Sequence, residues 1–88
     1  MIDTPPKIEF PCRYPIKVIV ETGDGIIEQV VEIIRGYDPR ITVDNIVKNP
    51  SRNGSYVSIR FEMWAEGTPQ LELLFTDLKQ CAAVRMVL

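Results

Sequence analysis

An α+β domain of order βαββαβ, with a four-stranded antiparallel sheet in the order 4-1-3-2 and two helices on one face, is predicted by three observations. The stretch Tyr14–Tyr37 reads as strand, glycine turn and amphipathic helix. A second strand–helix pair follows in Tyr56–Ala65 and Thr68–Cys81. Each helix has one apolar side, and two such helices are satisfied together by one side of a shared sheet. This is the ferredoxin-like plan, and its central strands are the first and third, the longest and most apolar in the chain.

Residues 1–13 are expected to form an extended arm, and residues 14–88 the single domain. Four of the seven prolines, Pro5, Pro6, Pro11 and Pro15, fall at this end, where they remove backbone donors and bias the chain toward extended forms. Ile8 and Phe10 are expected to tuck against the domain edge. In the first strand, Tyr14, Ile16, Val18 and Val20 alternate with Lys17, Ile19 and Glu21, and the first set should face the helices.

Thr22-Gly23-Asp24-Gly25 then turns the chain, with Asp24 placed to accept hydrogen bonds from the first helical N–H groups. At about 100° per residue, Ile26, Ile27, Val30, Val31, Ile33, Ile34 and Tyr37 share one side of the first helix, and Glu28, Gln29, Glu32 and Arg35 the other. Gly36 and Pro39 end it. Ile41 to Lys48 reads as a second strand at a partly solvated edge, and Asn53-Gly54 marks a hairpin within a longer loop. The third strand, Tyr56 to Ala65, puts Val57, Ile59, Phe61, Met63 and Ala65 in the core, with Tyr56, Ser58, Arg60, Glu62 and Trp64 on the open face. Thr68-Pro69 is a helix start with a hydroxyl at the cap. Leu71, Leu74, Phe75, Leu78 and Cys81 line the inner face of that helix, and Leu73 falls on its polar side. Ala83 to Leu88 is the last strand.

Composition narrows the function. At 88 residues the chain buries only roughly 60–65% of its unfolded surface, enough for one core and no deep cleft. Ten Lys and Arg against twelve Asp and Glu create no general field for phosphate, so nucleic acid is disfavoured. The absence of histidine excludes imidazole metal ligands and the common nucleophile–histidine pairs. Glu28 and Glu32 lie on a solvated helix face, and no carboxylate pair has an acid–base setting. The expectation is a non-enzyme with no cofactor. Cys12 and Cys81 stand far apart in no metal or redox spacing, which fits a reducing compartment, and no run has the length of a signal peptide or membrane span. A cytoplasmic, unprocessed protein is expected.

Two candidate sites follow. The turn Gly23, Asp24, Gly25 and Ile26 offers helix N–H groups to a small anionic metabolite, unless Asp24 caps them itself. The open sheet face offers Ile19, Tyr56, Arg60, Trp64, Arg85 and Val87 to a protein partner or a second copy, unless the Ile8–Pro11 arm covers Trp64. An RNA-binding domain using that face is the alternative, since Arg52-Asn53-Gly54-Ser55-Tyr56-Val57 faintly echoes an RRM motif. The echo is broken by Ile59 and by a first strand without an aromatic on that face.

Phe10-Pro11, Tyr14-Pro15-Ile16-Lys17-Val18-Ile19, Val30-Val31-Glu32-Ile33-Ile34, the Ser51, Gly54 and Tyr56-Val57-Ser58 hairpin and Val84-Arg85-Met86-Val87-Leu88 together resemble the YbeD-like family of small bacterial proteins, over about residues 8–88. The C-terminal pentapeptide is the most specific part. Many members carry Arg-His-Ala-Pro after the first helix, whereas this chain has Arg35-Gly36-Tyr37-Asp38-Pro39, so no role of that histidine transfers. The resemblance implies a ferredoxin-like domain similar to ACT regulatory domains, often encoded near lipoate-synthesis genes. Gly23-Asp24-Gly25-Ile26-Ile27 is similar to the Pro-Gly-Leu-Leu type turn of amino-acid-binding ACT domains, with Asp24 where proline is common. A regulatory or adaptor role linked to lipoate metabolism is what the resemblance implies.

Overall fold

The computed structural model describes residues 9–88. Strand β1 (Cys12–Glu21) is followed by α1 (Ile26–Arg35), β2 (Val47–Pro50), β3 (Tyr56–Ala65), α2 (Thr68–Gln80) and β4 (Val84–Val87). The sheet order is β2-β3-β1-β4, all antiparallel, which is the ferredoxin-like arrangement expected. β1 and β3 pair along their whole length, from Cys12 opposite Ala65 to Glu21 opposite Tyr56. The strand therefore begins two residues ahead of Tyr14. Ile8 lies outside the described residues, and Phe10 packs half-buried against the core.

The alternation read from β1 and β3 holds. Ile16, Val18 and Val20 meet Ile59, Phe61, Met63 and Ala65 beneath the helices. From above, α1 supplies Val30, Val31 and Ile34, and α2 supplies Leu71, Leu74 and Leu78. Leu73 is exposed, as its place on the wheel requires. Fully burying side chains of this kind stabilises by about 1.5–3 kcal/mol each, the main favourable contribution in so small a domain.

Two local expectations fail. The second strand is Val47–Pro50, not Ile41–Lys48. Ile41 and Ile46 are buried, but the chain between them is a turn held by its own side chains. Asn45 Oδ1 accepts from Thr42 N–H at 2.8 Å, Asn45 Nδ2 donates to Arg40 O at 2.8 Å, and Asp44 N–H donates to Thr42 Oγ1 at 3.3 Å. Short polar side chains here offer the backbone partners that a sheet ladder would otherwise supply. The cap expectations fail too. Thr68 is the first residue of α2 rather than its cap, Gly67 occupies the cap position, and no side chain caps that end. Gln70 instead reaches back, accepting from Glu66 N–H at 2.7 Å.

Bond networks at the hairpin explain why β2 pairs with β3 from Pro50 opposite Val57 onward. Ser51 N–H donates to Tyr56 O at 2.7 Å and Ser55 N–H to Asn53 Oδ1 at 3.1 Å. Gly54, at φ 77°, takes the left-handed conformation that the Asn-Gly pair predicts. β4 adds to the other edge of β1, with a bulge between Ile19 and Val20 opposite Arg85.

Candidate functional site: the open sheet face

Among the described residues no helix covers the second face of the sheet, and β-pairing sorts its residues into rows. Trp64 stands opposite Arg13, Glu62 opposite Pro15, and Arg60 between Lys17 and Val47. Next come Ser58, opposite Ile19 and Asn49, and Tyr56 opposite Glu21. Ile19 also neighbours Met86 on β4. Ile19, Tyr56, Arg60, Trp64 and Arg85 thus share this face, with Tyr56 and Trp64 at opposite ends of β3, whereas Val87, expected here, stands opposite buried Val18 and packs against the core.

Exposure is concentrated here. Tyr56 is 42% exposed, Trp64 38%, Met86 49%, and Val47 and Leu88 more than half. Reading Trp64 as covered by the Ile8–Pro11 arm involves a residue outside the described ones. A groove of about 500 Å³ crosses the face, lined by Pro15, Lys17, Asn45, Val47, Arg60, Glu62 and Leu88. A second hollow of about 310 Å³ lies at the edge of β3 past the start of β2, between Arg13, Asp38, Arg40, Glu62 and Trp64.

That edge is closed by Asp38, a residue whose role the sequence reading missed. It is 5% exposed, and its Oδ2 accepts from the Trp64 backbone N–H at 2.9 Å. Its Oδ1 accepts from Arg40 N–H and Nε, both at 3.1 Å. Burial pushes the carboxyl upward, but the Trp64 and Arg40 donors outweigh it and hold its pKa below the ordinary 3.8. The available signal was Asp38-Pro39 directly after a helix, in the segment where the chain departs from the Arg-His-Ala-Pro pattern.

Arg85 is not free on this face. It forms an ion pair with Glu21, which raises the guanidinium pKa through the hydrogen bond and the opposite charge. On the helical side, the Tyr37 hydroxyl donates to Asp77, and that bond, with burial and the carboxylate charge, raises the phenol pKa above 10.0.

The turn at Gly23, Asp24, Gly25 and Ile26 has a different geometry from the expected self-cap. Gly25 is the cap residue, at φ 76°, and no side chain caps α1. Gln29 N–H donates to Gly25 O at 3.0 Å, the first helical backbone bond. Gly23 is pressed close to Ile26, whose Cδ1 lies 2.6 Å from where a Cβ would stand. Asp24 is exposed and forms no part of the cap.

Among the described residues no cluster of three or more His, Cys, Asp or Glu could hold a metal ion, and no helix is long and apolar enough to cross a membrane. Both cysteines are free and half-buried.

Known structures share this arrangement. A Helicobacter pylori protein, HP0495, superposes with a TM-score of 0.74 at 22% identity, covering 98% of this chain and 90% of that one. The ACT domain of a Chlorobium tepidum GTP pyrophosphokinase superposes at 0.65 with 20% identity, covering 84% and 80%. Likeness at these identities is likeness of fold. In sequence, a UPF0250 protein of Hahella chejuensis is 46% identical over 83 residues, 94% of this chain and 91% of its own length. Another, from Nitrosomonas europaea, is 32% identical over 81 residues, 92% and 93% of the two chains. The model of the family described as "Protein of unknown function (DUF493)" matches residues 5–88, and with these relatives it bears out the resemblance to the YbeD-like family read over about residues 8–88: the chain belongs to the DUF493/UPF0250 family.

Proposed function

We propose that this chain is a non-enzymatic regulatory or adaptor domain that meets a protein partner through its open sheet face. The observation that carries the reading is the exposure of Tyr56, Trp64, Met86, Val47 and Leu88 on the one face that the helices leave uncovered, with Val47 and Leu88 lining a groove there. Aromatic and aliphatic groups beside arginine are the composition of protein-binding surfaces. The likeness to an ACT domain of a larger enzyme supports a regulatory role. A photo-cross-linking residue at position 56 is expected to give a specific protein adduct in the cell, and one at position 32 on α1 is not. Adducts from position 32 alone, or from neither, refute the reading, and an adduct of twice the chain's mass assigns the face to self-association.

A second reading keeps the turn Gly23–Ile26 as a site for a small anionic metabolite, favoured by the lack of a side-chain cap on α1. Thermal-shift screening with amino acids and lipoate-related acids tests it. No shift, or a shift unchanged by Gly25→Val, removes it. RNA binding is the weaker reading of the sheet face, because Ser58, Arg60 and Glu62 separate its two β3 aromatics and no neighbouring stack forms.

A further inference from the structure

One row of the open face runs across β2, β3 and β1 to the residue that follows β4. Val47 on β2 stands beside Arg60 on β3, Arg60 stands opposite Lys17 on β1, and Lys17 is bound to Leu88 just past β4. Lys17 N–H donates to Leu88 O at 3.1 Å, and Leu88 N–H donates to Lys17 O at 2.8 Å. Both backbone groups of Lys17 are therefore turned away from β3. Lys17 and Arg60 form a non-hydrogen-bonded pair, the kind that brings antiparallel side chains closest. Like charges directly opposite one another destabilise a sheet. Among the described residues neither cation has an ion-pair partner, and Glu62, in the same groove, does not reach either of them.

The charge around this row is opposite to that of the whole molecule. The chain carries a net charge of −2, yet the described open face carries Arg13, Lys17, Arg60 and Arg85 against Glu21 and Glu62. Two cations at the middle of the row are flanked by apolar side chains at both ends, Val47 57% and Leu88 60% exposed. With strands about 4.8 Å apart the row spans about 14 Å. An extended peptide covers that length in four residue steps, and its side chains at alternate positions point the same way.

We infer that this row is the docking site for an extended segment of a protein partner carrying apolar, acidic and apolar side chains at alternate positions, its carboxylate seated between Lys17 and Arg60. The inference rests on the reading of the open face as a partner surface and names the chemistry of that partner. Val47 and Leu88 receive the two apolar side chains. The carboxylate accepts hydrogen bonds from both cations and relieves the repulsion between them.

The test uses the full ¹⁵N-labelled chain, titrated with the blocked peptide Leu-Ser-Glu-Ser-Leu and with its Gln- and Lys-centred counterparts up to about 10 mM, a range that reads the weak affinities of short peptides. The Glu peptide is expected to shift the amides of residues 17, 47, 60 and 88. It should bind about two- to fivefold more tightly than the Gln peptide at low salt, the range one exposed ion pair supplies. Arg60→Gln should abolish that preference, and Arg60→Glu should favour the Lys peptide. Equal binding of the Glu and Gln peptides on this row overturns the cation anchor but leaves the protein-binding face standing. Absence of any shift from the peptide overturns the inference. If cross-links from position 56 are absent as well, the reading beneath it falls too. Concentration-dependent shifts at residues 17 and 60 without peptide assign the row to a second copy, which also overturns it.

Discussion

The Trp64 backbone N–H donates to Asp38 Oδ2 at 2.9 Å, so a carboxylate 26 residues earlier in the chain closes the edge of β3 where β2 no longer reaches. β2 pairs only with Val57–Arg60, and without Asp38 the Trp64 donor would be left on an open edge. Asp38 also holds Arg40 by its N–H and Nε, so one buried carboxylate ties the exit of α1 to the end of the longest strand pair.

Asp38→Asn keeps the shape of the side chain and removes its charge. The expected loss is about 1.5–3 kcal/mol, the range for hydrogen bonds to a charged group, or several degrees and more in Tm. The folded pKa is lowered, so the contribution is complete above the unfolded value near 3.8 and is lost as pH falls through the folded value. Urea unfolding of both proteins should therefore show a gap at pH 7 that closes toward pH 2. A gap that stays constant across that range contradicts this account.

Legibility in the sequence divides by the range of the interaction. β1, α1 and β3 were readable because a period of two or of 3.6 is imposed by burial on one side, and Val18, Val30 and Ile59 each carry it. The turn from Arg40 to Asn45 was not, because Ile41 and Ile46 supply the apolar pattern of a strand while Asn45 decides the backbone path by two hydrogen bonds. On the open face, alternation assigned Arg60 and Lys17 to the same side of the sheet. Only the register shows that they are direct neighbours, and register depends on pairing between segments more than forty residues apart.

Asn45→Ala tests the turn. It removes an acceptor for Thr42 N–H and a donor to Arg40 O. With each net hydrogen bond contributing about 0.5–1.5 kcal/mol, and the site exposed enough for water to replace part of the loss, a cost of about 1 kcal/mol is expected in chemical denaturation. Faster amide exchange at residues 42–47 should accompany it. Unchanged exchange there would show that Ile41 and Ile46 hold the turn by burial alone.

The first helix start separates a backbone requirement from a side-chain one. Gly25 at φ 76° has open space where a Cβ would stand, so Gly25→Ala meets no clash and costs only the left-handed conformation, about 1–2 kcal/mol. Asp24→Ala should change stability by no more than about 0.5 kcal/mol, the usual effect of a surface substitution, because Asp24 caps nothing. Thermal unfolding of the two variants side by side checks the order. A larger loss from Asp24→Ala would restore the cap that the sequence suggested.

The Lys17–Arg60 pair makes a prediction about stability that needs no partner. Two like charges in a close cross-strand pair oppose folding by about 0.2–1 kcal/mol, so Lys17→Gln or Arg60→Gln should raise the unfolding midpoint at low ionic strength. The double variant should gain less than the sum of the two single gains, because one repulsion cannot be removed twice. Raising the salt to 1 M shortens the screening length to about 3 Å and should erase most of the difference. A surface selected only for stability would hold an acidic residue opposite Lys17, as it holds Glu21 beside Arg85. If both single variants are less stable than the parent in low salt, the two side chains are not in repulsive contact, and the row offers a partner no unrelieved charge to neutralise.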